Sequence, residues 1–291
     1  MNSISKSWKE LCALQTRKSQ TLIRTITGIT LILIFGACVY CGRYTSVLFF
    51  TVLGCLACWE MAEALHAMKI RSSPWPACIL LVLLSAAMLS KLPSAWSIIA
   101  LGIDVILVLA YALFYRVGYE NVLGTLAIFL YPMLFFLLFA YVGEMELEHR
   151  LPILSVVIVA ASLCDIGAYF IGRWFGKHKM APEISPKKTI EGSIGGLVVG
   201  TLSGIGIYFA LRPLLNVELP LLLFLIASFL CSVAGEIGDL CASMIKRQAN
   251  IKDYGKILPG HGGIMDRADS LVFALPVVLF CFELYFVFLN A

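Results

Sequence analysis

The chain has 291 residues, of which 60% are hydrophobic and 14% are charged, and its formal net charge is +4. A soluble domain carries about 25% charged residues, so this composition excludes an ordinary soluble globular protein. Apolar runs recur along most of the chain, each long enough, or nearly so, to cross about 30 Å of hydrocarbon. We therefore expect an all-α, polytopic integral membrane protein.

Nine transmembrane helices are predicted from hydropathy. Their apolar runs are continuous rather than alternating with a period of two, which indicates helices and not the strands of a barrel. The predicted spans are Thr25 to Gly42, Thr45 to Leu65, Trp75 to Ser90, Ala95 to Tyr115, Val122 to Val142, Leu151 to Phe175, Ser193 to Leu211, Leu219 to Leu240 and Leu271 to Leu289.

A basic arm precedes the first span. Trp8, Leu11 and Leu14 recur at helical spacing among basic residues, a pattern typical of a helix that lies on an anionic membrane surface. The alternative is a disordered basic arm that only sets the topology. The arm lacks the apolar stretch and small-residue cleavage site of a secretory signal, so we expect the first span to be retained.

The distribution of basic residues predicts the orientation. When the spans alternate, 18 of the 22 Lys and Arg residues fall on the side of the N-terminus, and Arg43, Lys91, Arg150 and Arg212 fall on the other. Cytosolic loops are enriched in Lys and Arg, so the N-terminus is predicted to lie inside and the C-terminus outside.

Two regions are expected. Residues 1–150 form an N-terminal transmembrane region of about five helices, preceded by the basic arm. Residues 151–291 form a C-terminal catalytic region of about four helices with two polar cytosolic loops.

Span seven carries a ridge of glycines. Gly192, Gly196, Gly200 and Gly204 recur every fourth residue and therefore lie on one helical face, where another backbone can approach closely. We interpret this ridge as a packing surface. A contribution of Gly192 to a helix start that faces a phosphate is the alternative.

Acidic residues within the spans indicate partners or ligands, because a carboxylate in hydrocarbon is energetically expensive. Glu60, Glu63, Asp104 and Glu283 are scattered, and we interpret them as interhelical partners or interfacial groups.

A polar stripe at the end of span eight differs from these scattered acids. Glu236, Asp239, Ser243 and Lys246 have relative offsets of 0, 3, 7 and 10, which places them on one helical face. The stripe reaches the predicted cytosolic end of the span.

Two further polar clusters are predicted on the same side. Asp165 and Tyr169 lie on one face of span six, which leads into a basic loop, and the loop from Lys252 to Ser270 adds Asp266 and Asp269. The polar residues of the basic loop are Arg173, Lys177, His178, Lys179, Ser185, Lys187, Lys188 and Thr189.

The three clusters predict a phosphoryl or nucleotidyl transfer site. Carboxylate oxygens suit Mg²⁺, basic side chains suit phosphates, and together they neutralise charge on a transferred phosphorus. Charged loops that only enforce topology would explain the basic residues but not so many acids and glycines. Neither the P-loop pattern G-x-x-x-x-G-K-[ST] nor the D-G-x-x-A-R pattern of CDP-alcohol phosphotransferases occurs.

A long motif covers the end of span eight and the loop after it. It reads Ser243-x-x-Lys246-Arg247-x4-Lys252-Asp253-x-Gly255-x-x-Leu258-Pro259-x-His261-Gly262-Gly263-x-x-Asp266-Arg267-x-Asp269. This motif resembles the signature of phosphatidate cytidylyltransferase, also called CDP-diacylglycerol synthase.

Further blocks support the resemblance. The segment D-x-G-A-Y at Asp165 to Tyr169 and the segment S-P-K-K-T-x-E-G at Ser185 to Gly192 are similar to blocks of that family. The first five spans are similar more weakly, through hydropathy and the pair Trp59 and Glu60. Ala268 departs from the larger apolar residue or Thr that is usual in the family.

The resemblance implies an enzyme of the bacterial inner membrane, with a cytosolic active site, that condenses CTP with phosphatidate to give CDP-diacylglycerol and pyrophosphate for phospholipid biosynthesis. Phosphatidate brings its own phosphate nucleophile, so the protein has to align the substrates and screen their repulsion. The implied partners are CTP, phosphatidate and membrane lipids rather than nucleic acid, and a homodimer is left open. The implied cofactor is Mg²⁺, with a second metal or a monovalent cation left open.

The resemblance also implies roles for individual residues. Metal ligands are expected at Asp239 and Asp266, with Asp165 and Asp269 as additional ligands or as groups that hold the ligands. The expected catalytic residues are Asp239, Asp266, Lys246, Arg247 and His261. Substrate and phosphate binding is expected of Ser185, Lys188, Thr189, Ser243, Lys252, Gly260, Gly262, Gly263 and Arg267, where the glycines let backbone N–H groups approach an anion.

Two other functions fit the same residues. A CTP-dependent kinase of a polyprenol or lipid alcohol would use similar contacts but release CDP instead of pyrophosphate. An ion-coupled transporter would use intramembrane acids to bind its driving ion. Substrate movement in sealed vesicles distinguishes the transporter, since an enzyme turns over CTP in detergent.

Overall fold

The computed structural model describes residues 28, 30, 33–114, 118–215 and 219–289. The basic arm with Trp8, Leu11 and Leu14 lies outside these residues, and so does much of the first predicted span, of which residues 33–40 are helical. The helices that follow are α1 (Arg43–Ala67), α2 (Trp75–Leu89), α3 (Ser94–Phe114), α4 (Tyr119–Ile128), α5 (Leu134–Glu144), α6 (Leu147–Phe175), α7 (Ile190–Leu211), α8 (Leu221–Gln248) and α9 (Met265–Leu289).

Within the described residues, six stretches of helix are long and apolar enough to cross a membrane, with lengths of 22 to 29 residues. They are α1, α4 together with α5, α6, α7, α8 and α9. The chain is therefore a multi-pass membrane protein. The third and fourth predicted spans coincide with α2 and α3, whose apolar helical runs are shorter, so their full crossing stays a prediction.

One predicted span is interrupted in its middle. Between α4 and α5, residues Phe129–Met133 form a π-helical turn that contains Pro132, and Tyr131 leaves the helical region of φ and ψ. Proline has no N–H and its ring clashes with the preceding turn, which is why a helix breaks or kinks there. The break turns the ring of Tyr131 towards Phe273 of α9, with 5.8 Å between the ring centroids.

The basic loop after α6 contains the one departure from an all-helical chain in the described residues. Strands β1 (Lys179–Ala181) and β2 (Ser185–Thr189) form an antiparallel hairpin in which Lys179 is opposite Thr189. The expected all-α fold class is confirmed, and this short hairpin is an addition to it within the described residues. Thr189 ends the hairpin and starts α7, because its side chain accepts a hydrogen bond of 3.2 Å from the backbone N–H of Gly192, as an N-cap does.

The helices pack in two groups that α9 connects. In the C-terminal group, α6 runs along α7, and α8 packs against α7 and α9. In the N-terminal group, α1 packs against α2 and α5. Helix α9 also contacts α1, α5 and α6, so the segment that leads into α9 lies where the two groups meet.

The glycine ridge of α7 packs as the spacing predicts. A Cβ atom on Gly196 would lie 2.7 Å from the carbonyl oxygen of Cys164 on α6, and one on Gly204 would lie 2.7 Å from the carbonyl oxygen of Phe224 on α8. No real Cβ fits at these distances. The ridge therefore lets α7 approach the backbones of both neighbours, which holds the hairpin and the start of α7 against the end of α6.

Substitution of this ridge should destabilise the protein. We expect Gly196→Val to lower the free energy of unfolding by about 1–3 kcal/mol, because the added atoms overlap the backbone of α6. The measurement is the thermal unfolding midpoint in detergent. Gly206→Val is the matched control, since Gly206 lies on the same helix with nothing within 4 Å of an added Cβ; equal effects of both substitutions would contradict the packing interpretation.

Candidate active site

Two lysine–aspartate ion pairs join the three predicted polar clusters. Lys188 of β2 lies 2.7 Å from Asp239 of α8. Lys246, two turns further along α8, lies 3.0 Å from Asp266 and 3.9 Å from Asp269 of α9. The hairpin, the end of α8 and the start of α9 thus converge on one centre, as the common predicted side of the clusters requires.

The fourth predicted aspartate lies close to the same centre. Asp165 of α6 interacts electrostatically with Asp239, Lys188 and Glu236. Glu236 lies one turn before Asp239 on α8, and its carboxylate accepts a hydrogen bond from the Ser193 hydroxyl of α7. Carboxylates from α6, α8 and α9 therefore lie close together, and among the described residues Lys188 and Lys246 form ion pairs with them.

Lys188 stays charged in this setting. Burial by itself would lower the pKa of its ammonium group, but the nearby Asp239 carboxylate, supported by Glu236 and Asp165, outweighs burial and raises the pKa above its ordinary value. A permanently protonated lysine on the hairpin supplies a positive charge beside the carboxylates, which suits binding of a phosphate.

Asp266 organises the loop that precedes it. One carboxylate oxygen accepts hydrogen bonds from the backbone N–H groups of Tyr254 at 2.8 Å and Gly263 at 3.0 Å, and the other pairs with Lys246. The Asp266 side chain is only 5% exposed and lies in the first turn of α9, where the helix dipole favours a negative charge. The N–H of Gly263, predicted to face an anion, is directed instead to this carboxylate.

Tyr254 fixes the same loop to α8. Its hydroxyl donates to the carbonyl of Ala242 at 3.0 Å, and its ring lies 5.4 Å from the ammonium nitrogen of Lys246. Burial raises the pKa of the Tyr254 phenol, so the hydroxyl is protonated and acts as a donor. The loop is thereby held against the helix that carries the polar stripe.

Glu60 is the buried anchor of this loop, and sequence reasoning missed its importance. Its carboxylate accepts the backbone N–H of Ile264 at 3.0 Å and that of Met265 at 2.9 Å, and the residue is 2% exposed. Gly255 and Gly263 pack directly on the carboxylate, where a Cβ would overlap it. The expectation of an interhelical partner is correct, but the partner is a pair of backbone N–H groups at the buried start of α9 rather than a side chain.

Five of the predicted site residues line one polar cavity of about 480 Å³ that is formed by the loop before α9. They are Lys252, Gly260, His261, Gly262 and Arg267. Gly260 and Gly262 have φ of 76° and 85°, a conformation that glycine adopts without strain, and Leu258 and Gly262 close this tight turn as a β-bridge. Arg267 donates from Nε to the carbonyl of His261 at 2.9 Å.

The remaining predicted site residues lie in the hairpin, at the start of α7 and along α8. Arg247 donates to the carbonyl of Ile184 at 3.2 Å and so ties the end of α8 to the hairpin. Thr189 is the N-cap of α7. Ser185 begins β2, and Ser243 lies on α8 between Asp239 and Lys246.

Tyr131 is a second residue that sequence reasoning did not select. It interacts electrostatically with Asp269 and Asp239, and its hydroxyl is buried without a hydrogen-bond partner among the described residues. The break at Pro132 places the Tyr131 side chain near these aspartates. A proline in the sequence predicts such a break, but it does not predict the direction in which the neighbouring side chain points.

Comparison with known proteins identifies the family. The family model described as "Cytidylyltransferase family" matches residues 22–285. The chain belongs to the cytidylyltransferase family. It is 34% identical over 265 residues to a phosphatidate cytidylyltransferase of Staphylococcus haemolyticus (strain JCSC1435), covering 88% of this chain and 96% of that protein. It is 32% identical over 278 residues to a phosphatidate cytidylyltransferase of Bacillus subtilis (strain 168), covering 90% and 97%.

The donor set of this cytidylyltransferase family member fits Mg²⁺. In the described part of the chain, no group of three His, Cys, Asp or Glu side chains is arranged to hold a metal by itself. Mg²⁺ is commonly bound through one or two carboxylates while phosphate oxygens and water complete its coordination. Asp239 and Asp266 are carboxylates of this kind, and each lies beside a lysine that can pair with a phosphate.

Replacement of Glu60 should loosen the loop selectively. In Glu60→Gln one of the two acceptor oxygens becomes an NH₂ group, so a buried backbone N–H loses its partner at a cost of about 1–3 kcal/mol. We expect faster hydrogen–deuterium exchange at the amides of Ile264 and Met265, together with a lower thermal unfolding midpoint. Glu63→Gln, one turn away at an exposed position that accepts from Trp59, should leave both unchanged; unchanged exchange in Glu60→Gln would refute the anchor.

Proposed function

We propose that the chain transfers the cytidylyl group of CTP to phosphatidate and yields CDP-diacylglycerol and pyrophosphate. The observation that carries this proposal is the convergence of Lys188–Asp239 and Lys246–Asp266 at one end of membrane-crossing helices. The centre combines anionic ligands for a metal with cations for phosphates, and it stands at the ends of helices that can reach a lipid substrate.

The reaction needs no covalent intermediate on the protein. An oxygen of the phosphatidate phosphate forms a bond to the α-phosphorus of CTP, and the bond from that phosphorus to the bridging oxygen of pyrophosphate breaks. Both reactants are anions, so the main task of the site is to hold them in line and to screen their repulsion. The lysines and the carboxylates of the centre are suited to that task.

The lysines and aspartates of the ion pairs would have complementary roles in the reaction. Asp239 and Asp266 would hold Mg²⁺, with Asp165 and Asp269 as further ligands or supporting groups. The metal, when bound, supplies charge neutralisation on the phosphates. Lys188 and Lys246 would exchange their carboxylate partners for phosphate oxygens, while Arg247, Lys252, His261 and Arg267 add positive charge or hydrogen bonds around the substrates.

The backbone contributes to this site mainly by shaping the loop. Gly260 and Gly262, on either side of His261, belong to a turn that faces the polar cavity, and their lack of side chains leaves room for a phosphate to approach the backbone. Gly263, in contrast, supports the site through its hydrogen bond to Asp266. Ser185, Thr189 and Ser243 are proposed to hold the hairpin and α8 in position around the substrate.

The metal ligands can be tested with isosteric variants. Asp239→Asn and Asp266→Asn remove one negative charge each, and in Asp266→Asn the amide oxygen can still accept from Tyr254 and Gly263. We expect turnover of CTP and phosphatidate to fall on the order of 100-fold or more at unchanged expression, and Mg²⁺ to be required at higher concentration. The assay identifies the lipid product by mass and measures pyrophosphate; release of CDP instead would refute cytidylyl transfer.

Glu283→Gln is the control for these variants. Glu283 lies 17 residues after Asp266 on α9, about 26 Å along the axis at 1.5 Å per residue. An equal loss of turnover in this variant would contradict a metal site confined to the start of α9.

We also propose that nine spans cross the membrane with the N-terminus inside, in the two regions 1–150 and 151–291, and that the centre faces the cytosol. The basic residues around it, on the hairpin and on the loop after α8, support this orientation by the positive-inside rule.

Orientation can be tested by thiol labelling at Lys256. In Lys256→Cys, an impermeant thiol reagent should label inside-out vesicles and leave intact cells unlabelled, because Lys256 is exposed on the loop proposed to be cytosolic. Cys41, which is exposed near the opposite end of the helices, should be replaced by Ser to remove background. Labelling of Lys256→Cys in intact cells would reverse the orientation.

A further inference from the structure

A second, apolar cavity shares lining residues with the polar cavity. It has a volume of about 450 Å³ and lies between helical residues 33–40, α1, α5, α6 and α9. Its walls include Phe35, Phe50, Phe139, Leu154 and Leu271. Among the described residues that line it, Arg267 carries the only charge.

The two cavities meet at Arg267 and Leu258, since both residues line both cavities. The polar side is basic, with Lys252, Lys256 and Arg267 against the single carboxylate of Asp253. A polar, basic cavity next to an apolar cavity matches a phospholipid, which has a phosphate at one end and hydrocarbon chains at the other.

Two side chains of the polar cavity have hydrogen-bonding capacity left for a ligand. Arg267 uses Nε to bond the carbonyl of His261, and in the described part of the chain no bond to its two Nη nitrogens is seen. His261 Nδ1 is buried without a partner among the described residues. A guanidinium with two available N–H edges is well suited to a phosphate.

The polar cavity is also adjacent to the proposed reaction centre. Gly262 lines the cavity, and a Cβ on Gly262 would lie 2.9 Å from Oδ2 of Asp266. Gly262 of the cavity wall is thus in direct contact with the carboxylate proposed to hold the metal. A phosphate in the cavity would lie next to the site where CTP is proposed to react.

The apolar cavity is large enough for a substantial part of an acyl chain. Along α6 its lining extends from Leu151 to Val159, which corresponds to about 12 Å of helix. Along α9 it takes the face of Ile264, Arg267, Ala268 and Leu271, whose spacing of 3, 4 and 7 residues marks a single face. Ala268, the residue that departs from the family pattern, belongs to this face, where its small side chain leaves space.

We infer that these two cavities form the binding site for phosphatidate, with its phosphate at Arg267 in the polar cavity and one acyl chain in the apolar cavity. This inference rests on the proposed function for the identity of the lipid. It assigns Arg267 to the lipid phosphate, whereas Lys188 and Lys246 lie across the loop at the centre where CTP is proposed to bind.

Photochemical cross-linking tests the site without turnover. The protein is placed in phosphatidylcholine nanodiscs that contain phosphatidate with a diazirine on one acyl chain. Cross-links are expected on cavity residues such as Phe50, Leu154 and Leu271. Excess phosphatidate should abolish them and excess phosphatidylglycerol should not; cross-links elsewhere, or equal competition by both lipids, would overturn the inference.

Kinetics with a matched pair of variants test the same site. Ser155 lines the apolar cavity, while Ser162 lies two turns further along α6 at an exposed position outside it. We expect Ser155→Phe to raise the KM for long-chain phosphatidate by roughly tenfold and to leave the KM for CTP unchanged, while Ser162→Phe changes neither. With dihexanoyl phosphatidate, whose chains are too short to fill the cavity, Ser155→Phe should behave like the wild type.

Arg267→Gln tests the phosphate end. The glutamine amide can still donate to the carbonyl of His261, so the turn should be kept while the charge is lost. We expect weaker cross-linking by phosphatidate and a higher KM for phosphatidate; a change confined to the KM for CTP would overturn the assignment. If the wild type forms no CDP-lipid but is cross-linked in the cavity, the proposed reaction fails and the lipid site stands.

Discussion

The carboxylate of Glu60 is the interaction on which the geometry of the centre depends. It binds two backbone N–H groups at the start of α9, more than 200 residues away in sequence. A carboxylate buried among apolar helices must find donors, and a helix start must find acceptors for its free N–H groups. Here the Glu60 carboxylate accepts hydrogen bonds from these N–H groups, so both requirements are met. As a result, the position of α1 determines where α9 begins. Gly255 and Gly263 are required because the loop passes directly over the carboxylate.

Charge pairing explains how several acids can share so small a region. Asp239, Asp266 and Asp269 lie beside Lys188 and Lys246, and these positive charges offset the mutual repulsion of the carboxylates. The ion pairs give these carboxylates cationic partners and hold their side chains in place before any substrate binds. In the proposed reaction, a phosphate and Mg²⁺ would bind together, so the lysines and carboxylates could exchange partners without leaving a buried charge unpaired, which is the costly event at such sites.

The sequence predicts those parts of the molecule that follow from periodicity and composition. Long apolar runs locate the spans, a four-residue glycine period locates the packed face of α7, and spacings of 3, 7 and 10 along α8 identify one polar face. Long-range geometry does not follow from such patterns. The roles of Glu60 and Tyr131 depend on where other helices lie, and the β1–β2 hairpin depends on pairing within a loop whose residues individually have little strand preference. The cavity at Arg267 likewise arises from five separate segments.

The helical periodicity of α9 places the residues proposed to bind the metal and those proposed to bind the lipid on different faces of the helix. Asp266 and Asp269 are three residues apart and face the lysine of α8, while Ile264, Arg267, Ala268 and Leu271 face the apolar cavity. Adjacent residues of a helix point about 100° apart, so Asp266 and Arg267 can serve a metal and a lipid phosphate on neighbouring faces of one turn. Glu60 fixes the N-terminal end of that turn, and its position therefore controls both faces together. A displacement of α9 would move the proposed metal ligands and the proposed lipid contact together, so the buried Glu60 anchor would couple the alignment of both proposed substrates.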